Sequence, residues 1–155
     1  MNAGDTTIAA QALLDGPRPG WRVTMLPAAS DGPDAPSPAA WAALIDELLR
    51  DPSSLAGYAV LKYSGGVQVC RARVGNGAAT REVICKQSRV DGFLRRRLAA
   101  FRPSRARQAA QRAGMLRSAG IATAEPLVIL ESNRADRESW LITSALEAVA
   151  DLDHV

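Results

Sequence analysis

The sequence predicts an α+β fold built on an antiparallel sheet. Runs of alternating apolar and polar residues, typical of strands with one buried face, recur between residues 58 and 143. Glycine-rich turns at residues 64–66 and 75–77 separate the first of these runs. Two other stretches, which begin at Ser37 and Ser104, carry apolar or small residues at helical spacing. Short strands joined by tight turns and interrupted by helices indicate an α+β domain.

Composition limits the class of protein. A chain of 155 residues with 47% hydrophobic content can form one domain with a core, or one lobe of a larger protein. No apolar run approaches the roughly 20 residues that span a bilayer, and the N-terminus lacks a signal-peptide pattern, so we expect a cytoplasmic protein. Two cysteines, Cys70 and Cys85, and a single His154 make neither a disulfide framework nor a zinc set. We expect reduced, half-buried thiols on strands.

Positive charge is concentrated in one segment. The net charge is only +3, yet residues 89–117 contain nine arginines and one acid, Asp91. Such a segment predicts contact with nucleic acid, an anionic membrane surface or an acidic small substrate. The alternative is a solvated helix face.

The N-terminal part begins with residues 1–20, whose small polar residues, glycines and prolines predict poor order. Residues 21–26, WRVTML, alternate and predict a strand, and a connector rich in proline, aspartate and glycine follows. We assign residues 21–56 to a strand-helix extension.

The helix of this extension has clear boundary signals. Ser37 is a candidate N-cap, and Pro38 takes the first helical position. Trp41 opens an apolar stripe that ends before Asp51 and Pro52, and we expect Trp41 to be a core residue.

The middle of the chain predicts a three-stranded antiparallel meander. Residues 58–63 and 67–74 form two strands joined by a Ser-Gly-Gly turn, with Val67 and Val69 on one face and Cys70 on the other. The turn at residues 75–77 leads into a third strand, which holds Lys86.

Lys86 is a conspicuous residue choice. Of the 19 basic residues only Lys62 and Lys86 are lysines, so a lysine directly after the apolar run 83–85 suggests a requirement. A glycine turn beside a lysine-bearing strand can approach a polyphosphate, which the lysine neutralises as a compact point charge. The alternative is a side chain that extends from a strand end to water.

After an arginine-rich loop, residues 90–103, Ser104 can cap a helix with a thin stripe of small residues that ends at Gly120. Strands at residues 127–130 and 140–143 follow, joined by a hairpin loop. The sequence therefore predicts a five-stranded sheet with one packing helix.

These motifs resemble a known family. The segments ICK at 84–86, PSRARQAAQRAGMLRSAGIATAEPLVILE at 103–131 and SWLIT at 139–143 are similar to the N-terminal lobe of protein-kinase-like enzymes. The likeness is closest to the bacterial lipopolysaccharide kinases, which phosphorylate Kdo or heptose. It covers residues 57–147 and implies a kinase-like N-lobe there, with residues 148–155 leaving the hinge and the C-terminal lobe absent.

The resemblance implies an ATP site. Lys86 would contact the nucleotide phosphates, and residues 64–66 would cover them. Val67 or Val69 would touch the adenine, and the hinge, residues 144–147, would meet the adenine edge through its backbone. Ordinary core packing is the alternative for the apolar members. The residues assigned to the nucleotide are Lys86, Ser64, Gly65, Gly66, Val67, Ile84, Ser144 and Leu146, and the implied cofactors are ATP and Mg.

Two departures from the family pattern bear on activity. The helix after Ser104 has no acid to pair with Lys86, and Gln108 and Gln111 are the nearest polar substitutes. The aspartates that accept the substrate proton and hold magnesium belong to the C-terminal lobe of the family. Asp151, Asp153 and His154 are too early in the chain for that role. We expect a truncated lipopolysaccharide-kinase-like protein with no kinase activity of its own.

Partners follow from the resemblance and the charge. The intact family transfers the γ-phosphoryl group of ATP to a core sugar hydroxyl, and a separate C-lobe would complete this chain. Arginines that face an anionic acceptor or a membrane surface would place the protein peripherally at the inner membrane. The alternatives are a non-catalytic pseudokinase-type scaffold and a basic module that binds nucleic acid or other anions. Phe93 and Phe101 are the only aromatics near the arginines, which disfavours nucleic acid.

Overall fold

A computed structural model describes residues 18–90, 92–99, 101–134 and 137–146. Within these ranges no helix is long and apolar enough to cross a bilayer. The helices and strands are β1 (Trp21–Met25), α1 (Pro38–Arg50), β2 (Ala59–Ser64), β3 (Val67–Val74), β4 (Arg81–Ser88), α2 (Phe93–Ala99), α3 (Arg105–Ser118), β5 (Pro126–Ser132) and β6 (Ser139–Ser144).

The strands form one six-stranded sheet in the order β1-β5-β6-β4-β3-β2, with every pair antiparallel. The predicted meander is confirmed as β2-β3-β4. The sheet has one strand more than the sequence predicts, because β1 pairs with β5 from Trp21 opposite Ser132 to Met25 opposite Val128. The N-terminal strand thus forms one edge of the sheet and satisfies the backbone groups that β5 would otherwise leave unpaired.

Helix α1 covers one face of the sheet. Its apolar stripe packs into the main buried cluster together with side chains of β3, β4, β5 and β6. Trp41 is 1% exposed, and its indole N–H donates to the carbonyl of Ala29 at 3.1 Å, so its predicted core role is confirmed. The Ser37 hydroxyl accepts from the backbone N–H of Ala40 at 3.2 Å, which confirms the N-cap.

The two cysteines lie under α1. Cys70 on β3 and Cys85 on β4 are directly opposite each other, are free, and are fully buried. The prediction of half-buried thiols is wrong because α1 covers this face completely around them. The hydrogen bond between the thiols and the burial of Cys85 raise the pKa of Cys85 well above the ordinary thiol range, so this thiol is unreactive.

Helix α3 covers part of the opposite face. Ala106 and Ala110 pack on Ile129 of β5 and Leu141 of β6. Small side chains allow the helix to approach the sheet closely. The Ser104 hydroxyl accepts from the N–H of Arg107 at 3.1 Å, so the predicted N-cap is confirmed.

The end of α3 is set by Gly120, as predicted. Its φ is +78°, and its N–H donates to the carbonyl of Arg117. The N–H of Ile121 donates to the carbonyl of Leu116. These two bonds form the glycine-dependent Schellman motif.

The arginine-rich segment is partly helical, so the prediction of a loop at residues 90–103 is wrong for α2. Leucine, arginine and alanine all have high helix propensity, and the segment between Gly92 and Pro103 contains no residue that breaks a helix. Leu94 and Leu98 lie one helical turn apart.

Gly75, in the turn between β3 and β4, has a φ of +97°, and a Cβ there would overlap the carbonyl oxygen of Ala79. We expect Gly75→Ala to lower the free energy of unfolding by about 1–3 kcal/mol, measured by urea denaturation. Gly114→Ala is the matched control, because Gly114 is helical and nothing lies within 4 Å of a Cβ there. It should be neutral or stabilise by up to about 1 kcal/mol. Equal effects of the two substitutions would contradict this turn geometry.

Candidate functional site

Lys86 lies on the sheet face opposite α1. Alternation along β4 directs Val83 and Cys85 into the core under α1, and it directs Ile84 and Lys86 to the other face. On that face Lys86 stands between Val69 of β3 and Leu141 of β6. Its side chain is exposed, and the lysine therefore occupies the part of the sheet that α3 leaves uncovered.

A cleft of about 290 Å³ separates Lys86 from α3. Three of its side chains are cationic, namely Lys86, Arg105 and Arg112, and no carboxylate from the described residues lines it. Like charges gathered around a concave surface focus a positive potential that attracts an anion. The full lining is Val67, Lys86, Ser88, Arg105, Ala106, Gln108, Ala109, Arg112 and Leu141.

The ammonium group of Lys86 has no protein partner in the described part of the chain, where it makes neither an ion pair nor a hydrogen bond. The helix explains why. Ala109 faces the cleft without a polar group, and the amide of Gln108 donates to the carbonyl of Pro103 at 2.8 Å. Gln111 is exposed and does not line the cleft. Neither glutamine replaces the missing acid.

The position of α3 is fixed by polar contacts to the sheet. The Arg107 guanidinium donates to Glu131 on β5 through Nε at 3.2 Å and Nη2 at 2.6 Å. The N–H of Ala106 donates to the hydroxyl of Ser139 at 3.3 Å. The hydrogen bond from Arg107 holds the pKa of Glu131 below its usual value. These contacts set the rotation of α3 and thereby direct Arg105 and Arg112 toward the cleft.

The arginines of residues 89–117 fall into groups with different roles. Three of them form ion pairs with glutamates at distances of 3.4, 2.6 and 2.8 Å, as Arg89–Glu138, Arg107–Glu131 and Arg117–Glu125. Five others make no ion pair with any described residue, and these are Arg95, Arg96, Arg102, Arg105 and Arg112.

Four of these five arginines line two adjoining clefts. Arg105 and Arg112 line the cleft beside Lys86. Arg95, Arg102 and Arg105 line a second cleft of about 300 Å³, and Arg105 and Gln108 belong to both. The sequence located the cluster but could not separate the arginines that fix the fold from those that face open space.

The glycine turn lies outside the cleft lining. Gly65 and Gly66 have φ values of +53° and +74°, which fits a two-residue type I′ hairpin turn. Ser64 pairs with Val67 across it. Of these residues only Val67 lines the cleft with Lys86. So short a turn has no free loop to fold over a ligand.

The other residues assigned to the nucleotide do not share one face of the sheet, because Ser144 lies opposite Val83, whose side chain enters the core under α1. Ile84 is two positions from Lys86 and lies opposite Thr143 of β6. Ser144 ends β6, and its hydroxyl accepts from the N–H of Glu125 at 3.0 Å. Leu146 is 56% exposed. Glu147, Asp151, Asp153 and His154 lie outside the described residues.

A resident magnesium ion does not fit the cleft. Mg²⁺ requires oxygen ligands, usually including a carboxylate, whereas the charged side chains of this lining are cations. Among the residues that the structure describes, no group of three or more His, Cys, Asp or Glu side chains is placed to hold a metal ion.

Comparisons of this chain with protein-family models, with curated proteins and with solved structures find no match.

Proposed function

We propose that this chain is the nucleotide-binding lobe of a lipopolysaccharide-kinase-like protein, and that the cleft beside Lys86 binds the phosphates of ATP. One observation carries the proposal. Lys86, Arg105 and Arg112 line a single cleft in which no described carboxylate balances them. A polyphosphate supplies the negative charge that α3 lacks.

The arrangement of elements also supports the proposal. A three-stranded meander precedes α3, and two further strands follow it in the chain, which is the order that the resemblance implies. The strand that carries Lys86 lies between β3 and β6 in the sheet. Lys86 therefore has an apolar residue on each side, Val69 and Leu141.

The adenine would lie on the open apolar part of this face. Val67 borders the cleft, and Ile84 lies farther along β4 toward the end of β6. At that end the backbone N–H of Ser144 donates to the backbone carbonyl of Glu125, and the N–H of Ala145 donates to the backbone carbonyl of Glu82. A hinge N–H that donates to the adenine would therefore belong to Leu146 or a later residue.

The cleft can bind phosphates, but its described residues cannot carry out phosphoryl transfer. Transfer requires an aspartate to accept the proton of the sugar hydroxyl and further ligands for magnesium. In the intact family the C-terminal lobe supplies both. This chain would bind ATP and would need such a lobe to phosphorylate a lipopolysaccharide core sugar.

A pseudokinase-type scaffold is the second candidate. The specific observation is Ala109, a helix residue without a polar group that lines the same cleft as Lys86, where the family pattern has an acid on this helix. An active protein-kinase-like lobe holds its lysine with such an acid. A scaffold that binds nucleotide without catalysis has no need of it.

Calorimetric titration with ATP, with and without magnesium, tests the proposal. We expect Lys86→Met to weaken ATP binding at least about tenfold, the scale for losing one charge-assisted hydrogen bond to phosphate. Lys62→Met is the matched control, because Lys62 does not line the cleft, and it should bind like the wild type. A folded wild-type protein that does not bind ATP, or a Lys86→Met variant that binds equally well, would refute the nucleotide site.

The same titration can test the charge balance of the cleft. In Ala109→Glu the new carboxylate would compete with phosphate for Lys86, so we expect ATP binding several-fold weaker than in the wild type. Ala109→Gln introduces a side chain of nearly the same size as glutamate but without its charge, and this variant should retain most of the affinity for ATP. Equal weakening by both substitutions would indicate a steric effect and would contradict the electrostatic explanation.

A further inference from the structure

Three large apolar side chains are exposed on α2 and just beyond its C-terminal end. Leu94 is 76% exposed, Leu98 is 67% exposed and Phe101 is 92% exposed. Leu94 and Leu98 lie one turn apart on the same side of α2, and Phe101 follows two positions after that helix ends; we refer to these three residues as the apolar stripe. An apolar stripe of this kind on a surface marks a binding site when its neighbours fit one class of partner.

The neighbours of this stripe are cationic. Arg95 and Arg102 make no ion pair with the described residues. Arg96 donates to the carbonyl of Val90 at 3.2 Å, which leaves its charge unbalanced. The sequence from residue 92 to residue 124 contains no acid at all. The exposed apolar groups therefore belong to a segment of the chain in which every charge is positive.

We infer that α2 and Phe101 dock on an anionic phospholipid bilayer. Leu94, Leu98 and Phe101 enter the boundary between headgroups and acyl chains. The headgroup phosphates bind at the cleft of about 300 Å³ that Arg95, Arg102 and Arg105 line. An anionic bilayer offers apolar depth and negative charge side by side, which is the combination that basic amphipathic segments recognise.

Two other partners fit the surface less well. A second copy of the chain would bring the same arginines together, and like charges oppose that contact. Nucleic acid would satisfy the arginines, but the aliphatic side chains of Leu94 and Leu98 offer no stacking platform for bases. A bilayer accommodates both components of the surface.

The inference stands independently of nucleotide binding, although the two sites are adjacent. Arg105 lines both clefts, so a docked α2 would hold the Lys86 cleft close to the lipid surface. Acceptors carried by lipids would then be within reach of a completed enzyme.

Vesicle flotation with the full chain tests the inference. We expect binding to vesicles of phosphatidylcholine mixed with phosphatidylglycerol, and little binding to phosphatidylcholine alone. Leu94→Ser and Leu98→Ser should each weaken binding about tenfold, the scale of removing one buried leucine from an apolar phase. Arg95→Gln combined with Arg102→Gln should weaken binding and reduce its dependence on salt. Thermal unfolding checks that each variant is folded.

Tyr63→Ser is the matched control, because Tyr63 is 78% exposed on the edge strand β2, and it should bind vesicles like the wild type. Inorganic phosphate at the concentration of lipid phosphate should not displace the protein, because it offers no apolar phase. Any one of three results with vesicles would overturn the inference. They are failure of the folded wild type to bind anionic vesicles, unchanged binding of both serine variants, and displacement of the wild type by inorganic phosphate. A DNA duplex that binds wild type and serine variants alike, more tightly than vesicles do, would assign the surface to nucleic acid instead.

Discussion

Replacing Trp41 by alanine should lower the free energy of unfolding by about 3–5 kcal/mol, the scale for removing a buried aromatic side chain. Trp41 is 1% exposed and packs between α1 and the sheet. The substitution would also leave the carbonyl of Ala29 without its indole donor. Urea denaturation followed by far-ultraviolet circular dichroism measures the change, and the dependence on urea should stay close to that of the wild type.

Trp41→Phe separates packing from hydrogen bonding. It keeps most of the buried aromatic volume and removes only the N–H donor, so it should cost about 1–3 kcal/mol. A loss below about 1 kcal/mol in Trp41→Ala would be too small for a buried core residue. In that case α1 would not cover the sheet as described.

Arg107→Ala should lower the free energy of unfolding by about 1–2 kcal/mol at neutral pH, the scale for a partly exposed charge-assisted pair. The guanidinium forms a two-point contact with Glu131, and the side chains are 34% and 16% exposed. The same substitution should weaken ATP binding, because α3 also carries Arg105 and Arg112. Arg107→Lys should retain part of the stability and part of the ATP binding, because a lysine can make a single contact with Glu131.

The contribution of this pair should depend on pH in one direction. Arg107 lowers the pKa of Glu131 in the folded protein. The stabilisation is therefore complete above the unfolded pKa of a glutamate, about 4.3, and is lost as the pH falls through the lower folded pKa. Wild type and Arg107→Ala should differ most at neutral pH and converge in acid. A difference that is constant from pH 7 to strongly acidic conditions would show that the ion pair is not its source.

Local signals in the sequence predicted the elements that local chemistry determines. Ser37 and Ser104 cap their helices as expected, because an N-cap depends on a serine and the three residues after it. The meander of β2, β3 and β4 follows from short turns. The pairing of β1 could not be predicted, because alternation at residues 21–26 identifies a strand but not its neighbour.

Long-range packing decided one of the remaining differences, and local helix propensity decided the other. The cysteines proved fully buried because α1 covers their face, a fact that the strand sequences do not contain. The arginine content of residues 90–103 indicated a loop, although arginine and leucine favour α2.

The candidate site was predicted in part. Lys86 could be identified because the chain uses arginine almost everywhere else, and its face follows from the alternation of β4. Arg105 and Arg112 were visible only as members of a basic cluster. Their direction depends on how α3 is rotated on the sheet, which contacts such as that between Arg107 and Glu131 determine.

The pairing of β1 with β5 has a consequence for the order of folding. Trp21 and Ser132 are neighbours in the sheet although they are more than a hundred residues apart in the chain. Contacts of such high sequence separation close a large loop before they contribute stability, so they form late and slow the overall rate. The three-stranded meander and the β5-β6 hairpin can form from nearby residues first. During synthesis β1 leaves the ribosome long before β5, so this edge of the sheet can form only after β5 has followed it.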